Sequence, residues 1–374
     1  MQIVVAPCAY KGTFSPSEAA EAIKEGVQIA FPQSEIVLVP IADGGDGTVE
    51  AIHLARGGSL ETLTVHGALG EEQEAHWLAL GAVAIAELAS ASGIARLSGA
   101  PLRPLEAHTR GLGEVIRECI EKRGFARVVV AVGGSASTDG GTGALTALGA
   151  RFLDSSGKQL APGGGELRKL AAADLSALTK IAQSVSIAVA VDVVNPLLGS
   201  SGAARVFGPQ KGAGEEDIRI LEEGLGKLKE VLESATGRMV ADAPGAGAAG
   251  GTAFGLCCCL GAKIMPGFEW IAGILRLEQQ VKCADIVITG EGRLDEQSMQ
   301  GKGVGELVRL CEKFGRPLIA VPAIASSVSF PGIYKVVPAA RMGEGATYGD
   351  IARAAAAALD EVKRDICRGH GLSS

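Results

Sequence analysis

The chain lacks the positive charge that is typical of nucleic-acid-binding proteins. Its formal net charge is −7 at pH 7, and its lysines and arginines form no basic stripe, so nucleic acid is not an expected partner. An acidic protein that binds anions must instead concentrate a few cationic groups and backbone amides at one site.

The chain also lacks paired cysteine motifs and long apolar runs. Its eight cysteines include no C-x-x-C pair, so we predict reduced thiols in a cytoplasmic protein. The most apolar stretch, residues 251–268, is interrupted by Lys263 and Pro266 and is not expected to span a membrane. The first residues have no basic segment and are predicted to form a strand, not a signal peptide.

Proline is sparse, and glycine is abundant without a repeating period. The 15 prolines and 53 glycines follow no G-x-y pattern, which excludes collagen and Pro/Gly-rich disorder. We interpret the glycines as tight turns and as places where the backbone approaches a ligand. With 374 residues, the chain is too long for one ordinary core, so two domains are expected.

Short β-branched runs alternate with helical stretches at both ends of the chain, which predicts a parallel sheet with helices on both faces. The predicted strands cover residues 3–6, 36–40, 61–65, 76–79, 127–132, 187–191, 285–289 and 317–321. We predict two unlike α/β domains. A Rossmann- or flavodoxin-like domain is formed by residues 1–66 and 287–374, a second α/β domain is inserted at residues 67–286, and the active site lies in the cleft between them.

Familiar nucleotide-binding signatures are missing. The lysines of the Gly-Lys pairs are not followed by Ser or Thr, so no P-loop exists, and no His-Arg-Asp catalytic loop is present. The glycines at 245, 247 and 250 match a dinucleotide fingerprint by letters. They follow Ala243-Pro244 instead of a strand, so we interpret them as a close packing contact.

The first candidate loop, residues 43–48, follows a predicted strand and opens a helix. Its glycines Gly44, Gly45 and Gly47 allow close backbone approach, and the helix start at Gly47 and Thr48 offers free N–H groups to an anion. Asp43 is a candidate metal ligand or proton acceptor. The alternative is a turn in which an aspartate caps the helix.

The second candidate loop, residues 133–143, leaves a strong buried strand and is rich in glycine and hydroxyl groups. Main-chain amides in such a run suit phosphate or carboxylate binding, whereas the alternative is a flexible loop. The predicted anion-binding residues are Gly133, Gly134, Ser135, Ser137, Thr138 and Asp139.

The third candidate loop, residues 192–199, follows the strand at 187–191. Asp192 and Asn195 could hold a magnesium ion or a substrate hydroxyl, or they could form an Asx-turn stabilised by the next proline. Arg205 and Lys211 follow in a glycine-flanked stretch. They could balance phosphate charge, and a solvent-facing basic pair is the alternative. His108 is a further residue that could touch a ligand, with a surface histidine as the alternative.

The fourth candidate loop, residues 289–303, mixes acids and bases among glycines. Glu291 and Asp295 can hold a cation, while Arg293 and Lys302 can stabilise phosphoryl oxygens during transfer. Lys11, beyond the end of the first strand, is a further candidate for an anionic ligand.

Several of these runs resemble the type-1 glycerate kinase family, and the likeness spans nearly the whole chain. The similar runs, which occur in the family's order, are Ala42-Asp43-Gly44-Gly45-Asp46-Gly47-Thr48, Gly133-Gly134-Ser135-Ala136-Ser137-Thr138-Asp139-Gly140-Gly141, Asp192-Val193-Val194-Asn195-Pro196-Leu197 and Thr289-Gly290-Glu291-Gly292-Arg293-Leu294-Asp295-Glu296-Gln297. The chain departs where the family usually has Asp-Ser-Phe before Lys11, since it has Cys8-Ala9-Tyr10. It also has Asp46 where the family usually has glutamate.

The resemblance implies transfer of the γ-phosphoryl group of ATP to D-glycerate with Mg²⁺. The number of acids at strand ends argues against a protein that only binds anions, because excess carboxylates weaken anion binding unless a metal ion joins them. The bacterial members imply the 2-hydroxyl as acceptor. On this reading Lys11 and Arg293 bind phosphate or carboxylate charge. The magnesium ligands and the base come from Asp43, Asp192, Glu291 and Asp295, with Asp192 preferred as the base.

Alternatives to this reading remain at the level of the sequence. They are a kinase of another small hydroxy acid, phosphorylation of the 3-hydroxyl, a non-kinase enzyme with a phosphorylated ligand, and an effector-binding protein. No nucleic-acid or membrane partner is expected. The sequence leaves the oligomeric state open, with a homodimer as one option.

Overall fold

A computed structural model gives the structure of the chain and describes residues 1–10, 12–327, 329–341 and 345–367. The chain forms two compact units. Unit 1 contains Met1–Asp43, Glu50–Gly57 and the chain from Phe268 onward, and unit 2 contains Gly44–Val49 and Gly58–Gly267.

The strands of the described residues are short, and most belong to one of two larger sheets. In chain order they are β1 (Gln2–Val5), β2 (Glu35–Leu38), β3 (Ser59–His66), β4 (Glu72–Leu80), β5 (Val83–Glu87), β6 (Arg127–Ala131), β7 (Arg151–Leu153), β8 (Ala172–Asp174), β9 (Ser186–Val191), β10 (Lys263–Pro266), β11 (Ile286–Thr289), β12 (Arg293–Leu294), β13 (Leu318–Ala320), β14 (Ile324–Ala325) and β15 (Lys335–Val336).

The helices vary from a single turn to 22 residues. In chain order they are α1 (Pro16–Ala30), α2 (Thr48–Arg56), α3 (Leu88–Ser92), α4 (Arg110–Arg117), α5 (Thr142–Ala147), α6 (Leu178–Ser184), α7 (Ala203–Phe207), α8 (Glu215–Thr236), α9 (Ala248–Leu260), α10 (Gly267–Leu275), α11 (Leu277–Cys283), α12 (Glu296–Gln300), α13 (Val304–Phe314) and α14 (Tyr348–Cys367).

Unit 1 is built on a parallel five-stranded sheet of order β15-β13-β11-β1-β2, so strands from both chain ends alternate into one sheet. Successive side chains of a strand point to opposite faces. Ile3 and Val5 accordingly join a core with α1 and α14, whereas Val4 joins a separate core with α10, α11 and α13. The predicted α/β class with helices on both faces of a parallel sheet is confirmed here.

The contact between α1 and α14 depends on a glycine. A Cβ atom at Gly26 would lie 2.3 Å from the carbonyl oxygen of Ala352, so any larger residue would push the helices apart. The start of α1 carries a capping box, in which Ser15 accepts from the Glu18 amide and Glu18 accepts from the Ser15 amide.

Unit 2 is built on a six-stranded sheet of order β10-β9-β6-β5-β4-β3. The strands β5, β6, β9 and β10 are parallel neighbours, whereas β3, β4 and β5 form an antiparallel meander. Helix α8 buries Leu221, Leu225, Leu228 and Leu232 at helical spacing and exposes its charged side chains, as its sequence pattern predicts.

The boundaries between the two units differ from the predicted domain boundaries at residues 66 and 286. Strand β3, predicted with the first domain, pairs with β4 from Ser59–Ala79 to His66–Glu72 and belongs to unit 2. Helices α10 and α11, predicted in the inserted domain, pack Ile271 and Val281 into a core of unit 1. Strand pairing and core packing decide these boundaries, and composition does not reveal them.

Two further predictions from the sequence concern reduced cysteines and the lack of a membrane-spanning stretch. The seven cysteines from Cys8 to Cys311 are free thiols. Burial raises the pKa of Cys257 to about 12. Among the described residues, no helix combines the length and the apolar character that crossing a membrane requires.

Candidate active site

The candidate loops of unit 2 leave one edge of its sheet. Because β5, β6 and β9 are parallel neighbours, their carboxyl ends lie side by side, and Glu87 ends β5 while Gly133 and Asp192 follow β6 and β9. Ligands of open α/β sheets bind beyond the carboxyl ends of the strands, so this edge is the expected place for a site.

The loop at residues 44–48 packs directly on the glycines that follow β6. The Gly133 amide donates to the Gly44 carbonyl at 2.8 Å, and a Cβ atom at Gly133 would lie 2.6 Å from the Cα of Gly45. Two predicted candidate loops are therefore in contact, and the close approach requires glycine at position 133.

The start of α2 is occupied by a carboxylate of the protein itself. The Gly47 amide donates to Oε1 of Glu87 at 3.1 Å, and the Val49 amide donates to Oε2 at 2.9 Å. The Thr48 hydroxyl donates to the Gly45 carbonyl at 2.7 Å. The sequence predicted a ligand anion at this helix start, but Glu87 already accepts from its N–H groups, so the assignment of Gly47 and Thr48 to phosphate stays a prediction.

Asp139 was predicted to bind an anionic ligand, but its carboxylate is turned inward. Oδ2 accepts from the amide and the hydroxyl of Thr109 at 2.9 and 2.8 Å and from the Gly143 amide at 3.0 Å. Oδ1 accepts from the Gly141 amide at 3.1 Å. The side chain is fully buried, so it holds the loop to the start of α4 and is not available to a ligand.

Lys211 lies inside unit 2, contrary to the alternative of a solvent-facing basic pair. It is 3% exposed, and its Nζ donates to Oγ of Ser135 at 2.9 Å and to the carbonyl of Ser137 at 2.5 Å. Burial lowers the pKa of Lys211 to about 7, against a smaller opposing effect of Asp139. Arg205 is exposed, as that alternative predicted for both.

His108 is also buried, contrary to the alternative of a surface histidine. Its backbone amide donates to the Ala68 carbonyl at 2.9 Å, and its Nδ1 accepts from the Arg110 amide at 3.4 Å. Burial lowers the pKa of His108, which favours the neutral imidazole.

Asp192 directly follows β9, as the sequence predicts, and its side chain is half-buried. A Cβ atom at Gly267, which follows the neighbouring strand β10, would lie 2.8 Å from its Oδ2, so a glycine at this position leaves room for the carboxylate. Asn195 contributes to the local turn, because its Nδ2 donates to the Ser201 carbonyl at 2.8 Å and its own carbonyl accepts from Gly247. These bonds give Asn195 a structural role, but they differ from the predicted alternative of an Asx-turn, in which the side-chain oxygen accepts from a nearby backbone amide.

The fourth candidate loop lines a pocket of about 540 Å³ in unit 1. Glu291, Arg293 and Asp295 all line this pocket. Asp295 is also the N-cap of α12, where its Oδ1 accepts from the amides of Gln297 and Ser298, and its Oδ2 lies 3.7 Å from Nε of Arg293. Asp295 thus retains one oxygen that is not used for capping.

The remaining predicted residues lie apart from this pocket or outside the described chain. Lys302 is exposed and lines a second pocket of about 900 Å³ in unit 1, beside Arg276 and Arg309. Asp43 is exposed after β2. Lys11 lies outside the described residues.

The departure from the family pattern at Cys8-Ala9-Tyr10 has a structural consequence. The hydroxyl of Tyr10 donates to the Val321 carbonyl in a buried contact, and a Cβ atom at Gly290 would collide with that hydroxyl. Burial raises the pKa of Tyr10 above its ordinary value. Tyr10 is therefore a structural neighbour of the loop that carries Glu291.

Magnesium fits the ligand chemistry of the unit 1 pocket. Mg²⁺ prefers oxygen ligands and is usually held by one or two carboxylates together with substrate phosphates. Glu291 and Asp295 line one pocket, which meets the protein's share of such a ligand set. In the part of the chain that the structure describes, no cluster of three His, Cys, Asp or Glu side chains forms a complete protein metal site.

Comparisons with known proteins give a consistent result over almost the whole chain. The sequence pattern of the glycerate kinase family matches residues 3–368. The chain is similar to the glycerate 2-kinase of Escherichia coli strain K12, with 42% identity over 323 residues, 86% of this chain and 84% of the relative. It is also similar to the glycerate kinase of Bacillus subtilis strain 168, with 39% identity over 331 residues, 88% of this chain and 86% of the relative. A solved structure from Salmonella typhimurium LT2, named as a glycerate kinase 2, has a TM-score of 0.83 and 36% identity and covers 99% of both chains.

Proposed function

This chain belongs to the glycerate kinase family, and we propose that it transfers the γ-phosphoryl group of ATP to the 2-hydroxyl of D-glycerate. The observation that carries this proposal is the family match over residues 3–368. The name of the Escherichia coli relative, glycerate 2-kinase, supports the 2-hydroxyl as the acceptor.

Phosphoryl transfer depends mainly on positioning and on the stabilisation of charge. We assign Arg293, with Lys302 and Lys11, to the charge of the nucleotide phosphates, because guanidinium and ammonium groups suit phosphate oxygens. Glu291 and Asp295 would hold magnesium, with Asp43 and Asp192 as further candidate ligands. Bound magnesium neutralises the charge of the phosphates.

Asp192 is the proposed base that accepts the proton of the substrate hydroxyl. It is a half-buried carboxylate at the end of a parallel strand, and the glycine at position 267 leaves room for it. A positioned carboxylate can take the proton as the hydroxyl attacks the phosphorus. Asp139 is not a candidate for this role, because its oxygens already accept hydrogen bonds from the protein.

The glycine-rich loops of unit 2 are proposed to bind the acceptor. Gly44, Gly45, Gly133 and Gly134 bring two backbone segments together at the sheet edge, which favours close approach of a small ligand. Glu87 fixes the first of these segments through the amides of residues 47 and 49.

We also propose a cytoplasmic location for the protein, which the free thiols among the described residues support.

Replacement of Asp192 by Asn tests the proposed base. The substitution keeps the size of the side chain and removes its basicity, so kcat should fall by about 100-fold or more. Asp242→Asn is the matched control, since Asp242 is an 89% exposed aspartate of the same unit. Both variants should retain the wild-type circular dichroism spectrum. Near-normal turnover in Asp192→Asn would refute the assignment of Asp192 as the base. It would not contradict the proposal that the protein is a glycerate kinase.

A further inference from the structure

Lys211 is a buried cation without a carboxylate in contact. An ammonium group has three N–H donors. Among the described residues its hydrogen-bond acceptors are the Ser135 hydroxyl and the Ser137 carbonyl, and no carboxylate lies within ion-pair distance. Asp139 attracts it from further away, but both oxygens of that carboxylate accept from other groups. Buried charges in proteins are normally paired, so the site lacks an anion.

Buried hydroxyl groups without a partner lie on the same loop. In the described chain, Oγ of Ser137 and Oγ1 of Thr138 have no hydrogen-bond partner, and both residues are at most 1% exposed. The Oγ of Ser92 has none either, and its carbonyl accepts from the Ala136 amide at 2.9 Å, which brings Ser92 to this loop. Each unsatisfied buried polar atom is unfavourable, so their concentration on and beside the loop that contacts Lys211 points to a ligand with several acceptor oxygens.

The backbone of this loop is held in place by glycines of other segments. A Cβ atom at Gly250 would lie 2.2 Å from the Ser137 carbonyl oxygen, and one at Gly164 would lie 2.2 Å from the Thr138 carbonyl oxygen. The Gly140 amide donates to the Gly250 carbonyl at 2.9 Å. The backbone that carries these hydroxyl groups is therefore held in place before any ligand binds, which favours a preorganised binding site.

We propose that Lys211, with the hydroxyl groups of Ser137 and Thr138, binds the carboxylate of the hydroxy-acid substrate. This inference rests on the proposed function. The shared chemistry of the candidate ligands is an oxyanion, which the substrate supplies as a carboxylate and the nucleotide as a phosphate.

The residues at Lys211 differ in charge from those of the unit 1 pocket, and this difference favours the substrate carboxylate as the ligand of Lys211. The groups that contact Lys211 are the neutral Ser135 hydroxyl and the Ser137 carbonyl, and both oxygens of Asp139 already accept hydrogen bonds from the protein. Such a set suits a bare anion. The unit 1 pocket instead combines Glu291, Asp295 and Arg293, a mixture that suits phosphates together with a metal ion.

The test is the effect of Lys211→Met on the two substrates separately. The KM for D-glycerate should rise by about 100-fold, because loss of a buried charged partner has an effect of this size. The KM for ATP should stay within about twofold, because the proposed contact is with the acceptor. Arg205→Met removes an exposed cation from the preceding helix and is the matched control, with both KM values expected to match the wild type.

A second variant keeps the test open if Lys211→Met fails to fold. Thr138→Val retains the shape of the side chain and the ammonium group and removes one hydroxyl. It should raise the KM for D-glycerate by about tenfold and leave the KM for ATP unchanged. Melting curves and circular dichroism of each variant check the fold.

Each remaining outcome has a defined meaning. An unchanged KM for D-glycerate in folded Lys211→Met would overturn the proposal. A rise in the KM for ATP alone would move the oxyanion to the nucleotide phosphates, and equal rises for both substrates would reduce Lys211 to a structural role. A wild-type protein without glycerate-dependent turnover would instead refute the proposed function.

Discussion

Lys211 should make the stability of unit 2 rise with pH. Burial lowers the pKa of Lys211 in the native state to about 7, whereas its ordinary value is 10.5. Between these two values the unfolded chain binds more protons than the native chain, so the free energy of unfolding increases as pH rises. Below about pH 7 both states are protonated, and the full penalty for the buried charge is present.

The size of the effect follows from the two pKa values. Between about pH 7 and about pH 9.5, the linkage relation gives a gain of about 3 kcal/mol in the free energy of unfolding. Lys211→Met lacks the titrating group and should lack this gain. The difference between the two proteins in their change with pH isolates Lys211, because the other titrating groups are common to both.

Tryptophan fluorescence during urea denaturation can report this unit alone. The chain has two tryptophans, and Trp77 is buried in unit 2 whereas Trp270 belongs to unit 1. In a Trp270→Phe background, Trp77 is the only tryptophan and follows the unfolding of unit 2. Lys180→Met, at an exposed lysine of unit 2, controls for the loss of one charge. Equal pH dependence of the free energy of unfolding in the wild type and in Lys211→Met would show that Lys211 does not have a lowered pKa in the native state.

Three further substitutions test the packing and hydrogen bonds described above. Asp139→Asn places an amide donor among N–H groups that donate to a carboxylate in the wild type, so unit 2 should lose about 3 kcal/mol of stability. This loss can be measured by Trp77 fluorescence in urea. A loss under about 1 kcal/mol would contradict the structural role of Asp139. Gly26→Val should destabilise unit 1 by about 2 kcal/mol, because a Cβ atom there would overlap the carbonyl of Ala352; an unchanged melting temperature would show that the helices can separate freely. Tyr10→Phe should lower the stability of unit 1 by about 1 kcal/mol through loss of its buried hydrogen bond, and no change in the urea midpoint would argue against that bond.

The regular elements with clear periodicity were predictable from the sequence. The strand predicted at residues 127–132 is observed as β6, and the amphipathic pattern of residues 215–235, which is typical of a helix with one charged face, is observed as α8. In both cases the pattern of apolar residues reflects how the element is buried. Helix α9 was not predicted, because nearly all of its residues are buried and its sequence therefore has no polar face to reveal a period.

The positions of the candidate loops were also predictable, but the state of their side chains was not. Gly133 and Asp192 follow strands that the sequence identifies, and parallel strands bring their ends to one edge. The inward turn of Asp139 depends on Thr109, 30 residues earlier in the chain. No local pattern records such a contact.

Two residues of the site are not identified by the sequence. Glu87 lies in none of the candidate loops, although a single acid at the carboxyl end of an apolar run is a signal that could mark it. For Lys211 the sequence predicts either a phosphate ligand or a surface residue, because the side-chain type alone favours exposure. Its glycine-flanked turn was the available hint, and only the three-dimensional packing reveals its burial.

The proposed kinase activity can be tested by measuring ADP release from ATP and Mg²⁺ with and without D-glycerate, followed by phosphorus NMR of the product. We expect glycerate-dependent ADP release and a phosphate on carbon 2. A phosphate on carbon 3 would keep the kinase and overturn the acceptor hydroxyl, and the absence of glycerate-dependent ADP would contradict the proposed function.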